Sequence, residues 1–312
     1  MRIWFVFLVV LSLAGGSDVS ASPAQETTIP GTRVSLIPPD DFILTSRFPG
    51  FWHETVGASI MVTEFPASLV ESVAGFGDRS ALGKRGLTLV HKQEVNVNNQ
   101  KGLLLRIKQV VSGIDYLKWL LIFGNEKESV MVAASFPEEL ETELSERMKA
   151  SILTAKWNKE IEVSLTEGLN FTVTAKGEMI PAKRIANALL YTWNGIFPSK
   201  VVDHPFFIVG QTLSKIDISD KKEFAKKRLL QTATITDIAL EYSRPVTVDK
   251  LSGYELIAKG TDKESGQSMV IYQMILYEDE GYYLMQGIVS SRGRRIHFPI
   301  FREIARSFKR KN

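Results

Sequence analysis

The sequence predicts an α+β protein of two tandem αβα sandwich domains, each a mainly antiparallel sheet flanked by helices and closed by a C-terminal amphipathic helix. Three observations predict this fold. The hairpin-like stretch VNVNNQKG at residues 95–102 recurs as VTVDKLSG at residues 246–253. Strand-like alternation and then a helix-like apolar pattern follow each copy. The length agrees, because 312 residues suffice for about two domains.

The first 21 residues predict a secretory signal peptide. Arg2 precedes an unbroken apolar run, IWFVFLVVLSLAGG, and the small residues Val19 and Ala21 precede a cleavage site after Ala21. Because the run is short of the ~20 residues needed to span a bilayer, cleavage is favoured over a membrane anchor. We therefore expect export to the periplasm or the extracellular space. With no cysteine in the chain, packing must stabilise the domains without disulfides.

The repeated phrases predict two domains, at residues 31–157 and 161–312. In each domain the phrase is followed by a matching series of strands. In each domain one strand, GLLLRIK or GYELIAK, alternates with period two, as a half-buried strand requires. A turn follows, and then two more strands joined by a polar loop, GNEKES or YEDEGY. The residues that share one strand face are Leu103, Leu105 and Ile107 in the first domain and Tyr254, Leu256 and Ala258 in the second.

Both domains end on a segment with apolar residues at helical spacing. Each segment is expected to begin its helix just after a proline, Pro137 or Pro299, since proline suits the first helical turn. One stripe of each helix should then pack on its sheet. The stripes are Leu140, Leu144, Met148 and Ile152, and Phe301, Ile304, Ala305 and Phe308.

The front halves of the domains are less alike. The first shows a strand in GASIMVTEF and a helix in PASLVESVAGF; the second shows a strand in FFIVGQTLSKI and a helix in DKKEFAKKRLLQTA. The second domain also carries the stretch PAKRIANALLYTWNGIFPSKVVDHP, whose alanine- and leucine-rich start favours a helix. We therefore expect an inserted helix near residues 181–193.

The order of these phrases resembles the PsbP-like superfamily. The resemblance rests on a GFG-bearing helix, on KQEVNVNNQKGLLLRIKQ with KWLLIFG behind it, and on the closing FPEELETELSERMKASIL. It covers residues 31–157 and, more loosely, residues 169–311. It implies a central antiparallel sheet flanked by helices, which together with the repeat and the predicted signal peptide gives a tandem duplication in an exported bacterial protein. It also implies non-enzymatic binding or assembly work, and it supplies no functional residues.

No motif for catalysis or metal binding emerges. The four histidines are scattered and no zinc-ligand spacing occurs. The stretch GDRSALGKRG departs from a phosphate-binding loop, because five residues separate Gly77 from Gly83 and Arg85 stands where serine or threonine is needed. There is neither a GxSxG elbow nor a cysteine nucleophile. We expect no cofactor and no metal.

Two aromatic stretches, PGFWH and YTWNGIFP, are candidates for contact with a partner or ligand. Each places a tryptophan and a phenylalanine beside a glycine. The favoured interpretation is that the rings close the edge of a core, since tryptophan is highly buried on average. The alternative is an exposed aromatic contact site. The candidates are Phe51, Trp52, His53, Trp193 and Phe197.

Charge divides unevenly between the halves. Residues 22–158 hold 14 basic and 16 acidic residues, a net −2, whereas residues 159–312 hold 23 and 18, a net +5. Basic residues cluster at 221–228 and 292–311, where Arg294, Arg295 and Arg302 are candidates for contact with an acidic protein or an anionic membrane surface. The alternative is that these charges are only solvated.

These observations favour an exported, non-enzymatic binding or assembly protein of the cell envelope, which docks an envelope protein through surface loops and a basic face. A carrier of a small apolar ligand or lipid in an interdomain groove is the alternative, and a hydrolase with a non-contiguous site is the second. An anionic membrane surface is a further candidate partner. Nucleic acid is not expected for an exported chain. The sequence does not predict the oligomeric state.

Overall fold

The fold is that of a computed structural model, which describes residues 25–311 except 75, 77–78, 84–85, 112, 198–204, 214–215 and 280. The predicted signal peptide, with its cleavage site after Ala21, lies outside the described residues. The described chain forms two compact units, of which domain 1 ends at Gly168 and domain 2 begins at Leu169. Within the described residues, no helix has the length and apolarity that a membrane crossing requires.

Domain 1 contains strands β1 to β10 and helices α1 to α3. Its strands are β1 Thr27–Thr28, β2 Val34–Leu36, β3 Ile43–Leu44, β4 Gly50–His53, β5 Ala58–Phe65, β6 Leu87–Val97, β7 Gln100–Val111, β8 Ile114–Gly124, β9 Ser129–Pro137 and β10 Lys156–Trp157. Its helices are α1 Leu69–Ala74, α2 Arg79–Gly83 and α3 Glu141–Leu153, the last preceded by a 3₁₀ turn at Glu138–Leu140.

Domain 2 contains strands β11 to β19 and helices α4 and α5. Its strands are β11 Phe171–Thr172, β12 Met179–Ile185, β13 Ala188–Trp193, β14 Phe206–Gln211, β15 Ile235–Val248, β16 Leu251–Asp262, β17 Ser268–Glu278, β18 Gly281–Ser290 and β19 Lys309–Arg310. Its helices are α4 Lys221–Leu230 and α5 Arg294–Arg306.

The two domains share one topology. The main sheet of domain 1 has the strand order β3-β4-β5-β9-β8-β7-β6, and that of domain 2 has the order β12-β13-β14-β18-β17-β16-β15. Every pairing in both sheets is antiparallel. After the closing helix, a short strand returns to an N-terminal one, β10 to β2 and β19 to β11. The predicted α+β fold of two antiparallel-sheet domains is confirmed.

The repeated phrases occupy the same place in both sheets. Val95 lies opposite Gly102 in the β6–β7 hairpin, and Val246 lies opposite Gly253 in the β15–β16 hairpin. The two-residue turns, at residues 98–99 and 249–250, have positive φ at both positions. That geometry defines a type I′ turn, which matches the twist of the strands it joins.

In domain 1, helices cover both faces of the sheet. Leu69 and Val73 of α1 pack on Leu103, Leu105 and other residues of one face. On the opposite face, α3 packs the stripe predicted from the sequence against a second cluster that also takes in β2 and β10. Leu144, Met148 and Ile152 of that stripe are buried.

In domain 2, α4 packs Ala225 and Leu229 against one face of the sheet. On the other face, Phe301 of α5 stacks on Phe207 with ring centroids 5.7 Å apart. A Cβ at Gly287 would lie 2.4 Å from the Phe301 ring, so the glycine lets this helix approach the sheet closely. Both helices of the domain therefore sit where an αβα sandwich places them.

Residues 181–193 form strands instead of the expected inserted helix. They belong to β12 and β13, which join at a two-residue turn containing Ala186 at φ 50°. Strand β13 is hydrogen-bonded on both sides, to β12 and to β14. Tertiary pairing thus overrides the helical preference of the alanines and leucines. These two strands correspond to β3 and β4 of domain 1.

Helix α5 begins at Arg294 and not after Pro299 as expected. Pro299 lies inside the helix, as its sixth residue. A proline there cannot donate to the carbonyl four residues earlier, that of Arg295. Both residues are exposed, so water can satisfy that carbonyl.

Candidate partner-binding surface

A stripe of three arginines and one phenylalanine runs along α5. Arg294, Phe298, Arg302 and Arg306 are spaced four residues apart, so their side chains share one side of the helix. The ion pairs of Arg294 with Glu241 of β15 and of Arg302 with Glu255 of β16 show that this side faces the sheet edge formed by β15 and β16.

Glu255 is a fully buried carboxylate at the centre of this surface. Its Oε1 accepts hydrogen bonds from Nε of Arg302 at 2.8 Å and from the hydroxyl of Tyr272 at 3.0 Å. Its Oε2 accepts from Nε of Arg244 at 2.6 Å and pairs with Nη2 of the same residue at 2.5 Å. The side chain of Glu255 is 0% exposed, whereas those of the two arginines are 38% and 37% exposed.

The ionised form of the Glu255 carboxyl is stabilised by its hydrogen-bond partners. Burial by itself would raise the pKa of this carboxyl, but the hydrogen bonds from Arg302, Tyr272 and Arg244 outweigh it, and the pKa lies below its ordinary value. Burial also raises the pKa of Tyr272 far above its ordinary value. The tyrosine therefore stays protonated and donates to a carboxylate that stays ionised.

Domain 1 has no carboxylate at the corresponding place. Glu255 lies opposite Met274 in its sheet, and the equivalent pair in domain 1 is Leu104 opposite Leu121. Leu104 is 1% exposed and belongs to the apolar core under α3. The shared fold thus does not require the charge, which is specific to domain 2.

A second pair of contacts fixes the other end of the stripe. Glu241 of β15 accepts from Lys259 at 2.5 Å and from Arg294 at 2.7 Å. The hydrogen bond from Lys259, opposed by burial and aided by Arg294, holds the pKa of Glu241 below its ordinary value. We call this surface the basic face. It comprises the cations Arg244, Lys259, Arg294, Arg302 and Arg306 with the carboxylates Glu241 and Glu255.

Aromatic rings lie among these cations. The guanidinium of Arg294 lies 5.3 Å from the ring centroid of Phe298, and that of Arg244 lies 5.8 Å from the ring of Tyr242. Tyr242 is 41% exposed on β15, the edge strand of the sheet. Tyrosine and arginine are both enriched in protein-binding hot spots.

Two open grooves flank the end of β15. One, of about 590 Å³, is lined by the cations Arg244 and Arg306 and by residues 245–249. The other, of about 400 Å³, lies beside Lys221, Tyr254 and Tyr277. Neither is an enclosed apolar cavity, and residues of the β15–β16 hairpin contribute to the walls of both.

The structure distributes the sequence-predicted candidates over several places. Arg294 and Arg302 lie in the basic face, paired to carboxylates and not merely solvated. Arg295 is exposed on α5 but outside the stripe. Trp193, at the end of β13, packs edge-to-face on His297 at 5.3 Å, and Phe197 follows it, partly buried.

The domain 1 candidates Phe51, Trp52 and His53 all lie on β4. Phe51 is 2% exposed in the core. Trp52 contacts Phe48 edge-to-face at 6.5 Å, and His53 contacts Phe42 at 5.4 Å. These rings lie on β4, where they pack against neighbouring rings.

Sequence reasoning missed Arg244, Glu241, Glu255, Lys259 and Arg306. A signal existed for two of them. The alternation that places Tyr254 and Leu256 on one face leaves Glu255 on the other, beneath the closing helix. Arg306 lies four residues after Arg302, which itself lies eight residues after Arg294, so the three arginines repeat with helical spacing. The partners on β15 depend on strand pairing and left no local signal.

Within the described residues, no group of three or more histidine, cysteine, aspartate or glutamate side chains is placed to hold a metal ion.

Comparisons with known proteins found no matching family model and no matching curated protein. Among solved structures, cyanobacterial PsbP (CyanoP) from Synechocystis sp. PCC 6803 is 12% identical with a TM-score of 0.34, covering 47% of this chain and 99% of that one. The T6SS immunity protein TplEi of Pseudomonas aeruginosa is 14% identical with a TM-score of 0.33, covering 91% and 97%. A chain of the Tle4–Tli4 complex is 13% identical with a TM-score of 0.34, covering 91% of this chain and 97% of that one. Similarity at this level assigns neither family nor function.

Proposed function

We propose that this chain is an exported binding protein that docks an acidic protein surface through the basic face of domain 2. The observation that carries the proposal is the buried carboxylate of Glu255, which holds Arg302 and Arg244 in fixed positions while each keeps more than a third of its side chain exposed. Domain 1, with the same fold, has leucine at the corresponding place.

Fixed arginines lower the cost of binding. A free arginine loses rotamer freedom when it engages a partner, at about 0.5–1.5 kcal/mol for each immobilised side chain. In the basic face that ordering already exists before a partner arrives, because Glu255 and Glu241 hold three of the arginines. The guanidinium groups can still donate hydrogen bonds to a further carboxylate, since each presents five N–H donors.

The chemistry of the face selects the partner. Arginine binds carboxylates bidentately, and the five cations of the basic face outnumber its two carboxylates together with Asp249, which lines the adjoining groove. The exposed ring of Tyr242 supplies apolar contact area beside them. An acidic protein surface with an apolar centre therefore fits this face better than a uniformly anionic membrane. Export to the periplasm or extracellular space belongs to the same proposal and is supported by the first 21 residues.

The test is in-cell crosslinking of the full chain with a matched pair of charge reversals. Arg306→Glu alters the groove of the basic face, whereas Lys227→Glu alters α4 on the other side of the sheet. Both residues are exposed and lie in the last turn of their helix, so both reversals remove the same favourable interaction with the helix dipole.

We expect a discrete protein adduct that Lys227→Glu leaves intact and Arg306→Glu reduces at least about tenfold, as the loss of one interfacial charge contact of about 1.4 kcal/mol predicts. Higher salt should weaken the adduct as well. Equal recovery with both variants would refute docking through the basic face. Recovery of bound lipid without a protein adduct would instead favour the carrier function.

A further inference from the structure

Domain 1 carries a polar row on the sheet face that α1 covers. Lys118 in the middle of β8 lies opposite Ser135 of β9, and Ser135 lies opposite Ser59 of β5. Directly opposed residues of an antiparallel sheet project to the same face, with Cβ atoms about 4.5–5.5 Å apart. On the other side Lys118 lies opposite the buried Ile107.

The ammonium of Lys118 and the hydroxyl of Ser135 have no partner among the described residues. The hydroxyl of Ser135 is buried and makes no hydrogen bond, and the residue is 5% exposed. Lys118 has no hydrogen bond or ion pair to any described residue and keeps partial solvent access. Burial lowers the pKa of Lys118 to about 8, so the ammonium form still prevails at neutral pH. Two neighbouring residues of the sheet thus carry an uncompensated cation and an unpartnered buried hydroxyl, beside the apolar side chain of Ile107.

Domain 2 shows that the fold does not need polar residues there. Its equivalent strands place Ile271 opposite Ile288 and Phe206 opposite Ile288. The two isoleucines are buried in the core under α4, and Phe206 packs against them. The same sheet position is therefore apolar in one domain and polar in the other.

We propose that Lys118 and Ser135 form a binding site for a carboxylate group in domain 1. A single ammonium beside a hydroxyl matches the one negative charge and two acceptor oxygens of a carboxylate. Binding would satisfy the Ser135 hydroxyl and compensate the cation, whose burial without a counter-charge is unfavourable. This site lies on domain 1 and is independent of the basic face.

The proposal is tested on the full chain by ¹⁵N NMR, titrating sodium acetate against sodium chloride at matched ionic strength. The amides of residues 118 and 135 report on binding in every variant, and the amide of Lys101, an exposed lysine on β7, is the control. The variants are Lys118→Met, which keeps the aliphatic length, and Ser135→Ala. Acetate is the probe, with inorganic phosphate as a comparison.

We expect a saturable, acetate-specific shift at residues 118 and 135 that is absent at Lys101. Lys118→Met should abolish it, and Ser135→Ala should weaken acetate about tenfold, the value of one hydrogen bond to a charged group. Shifts equal to those in chloride, or acetate binding that survives in Lys118→Met, would overturn the proposal. Saturation by phosphate without saturation by acetate would overturn the assignment to a carboxylate.

Discussion

Replacing Glu255 with glutamine should destabilise domain 2 by about 3 kcal/mol. The substitution keeps the shape but removes the charge, so the hydrogen bonds from Arg302 and Arg244 each weaken by about 1 kcal/mol. The new amide group also places a donor where an acceptor stood, which eliminates one bond of similar value. The matched control is Glu241→Gln, whose carboxylate makes two ion pairs but is 26% exposed. Exposed pairs contribute under about 1 kcal/mol.

The assay is native-state hydrogen exchange followed by mass spectrometry. Peptides from β16 and α5 report on domain 2, while peptides from β7 and α3 of domain 1 serve as an internal reference that neither substitution should change. We expect faster exchange in domain 2 for Glu255→Gln and little change for Glu241→Gln. Equal effects of the two substitutions, or an effect of Glu255→Gln below about 1 kcal/mol, would refute a stabilising role of the buried carboxylate.

Lowering the pH should remove the stabilisation of domain 2 by Glu255, as the Glu255→Gln substitution does. The pKa of Glu255 is lower in the folded domain than its ordinary value of 4.5, so its stabilisation is present above that value and is lost as pH falls through the folded pKa. The wild-type domain should therefore lose more stability below pH 4.5 than Glu255→Gln does. Parallel acid unfolding of the two proteins would contradict this.

Three further predictions address other parts of the chain. Lys118→Met should stabilise domain 1 by about 3 kcal/mol at pH 7, because the pKa falls from 10.5 to about 8 on folding at ~1.36 kcal/mol per unit. Since the unfolded chain binds the proton more tightly, wild-type stability should rise between pH 8 and 10.5 in chemical denaturation, and that of the variant should not. Lys250→Gly should stabilise the β15–β16 hairpin by about 1 kcal/mol, since Lys250 has φ 64°. Asn99→Gly, at φ 63°, should stabilise the β6–β7 hairpin less, because asparagine adopts this conformation readily. Hydrogen exchange of the two hairpins measures which substitution stabilises more. The mass of the exported protein should correspond to a chain beginning at Ser22, and retention of Met1 would contradict cleavage.

The strands of the second half of each domain were predictable because their patterns are local. The two-residue period of GLLLRIK and GYELIAK follows directly from strand geometry, which points successive side chains to opposite faces of the sheet, and the turns at residues 98–99 and 249–250 follow from the polar residues between the strands. The equivalence of the hairpins also follows, since Val95 and Val246 have the same pairing in both sheets. A common origin by duplication stays a prediction.

Residues 181–193 show where local reasoning fails. Alanine and leucine favour a helix in isolation, but β13 gains backbone hydrogen bonds from β12 and β14 on both sides. One partner, β14, follows only after an intervening segment of the chain. The other, β12, has too weak an alternation to be recognised as a strand. No local property of ANALLYTW reveals them.

The basic face was predictable only in part. The sequence predicted the basic cluster that contains Arg294 and Arg302, but their carboxylate partners lie 53 and 47 residues away in the sequence. Charge composition alone cannot distinguish a solvated arginine from one held by a buried glutamate. The sequence therefore left open whether these arginines form a contact surface or are only solvated.

Site-specific photocrosslinking from Tyr242 tests docking through the basic face most directly. A photoreactive amino acid replaces Tyr242, which is 41% exposed on β15, and a second chain carries it at Leu230, which is 58% exposed on α4. We predict one salt-sensitive protein adduct from position 242 and none from position 230. The same adduct from both positions, or no protein adduct from position 242, would contradict the account.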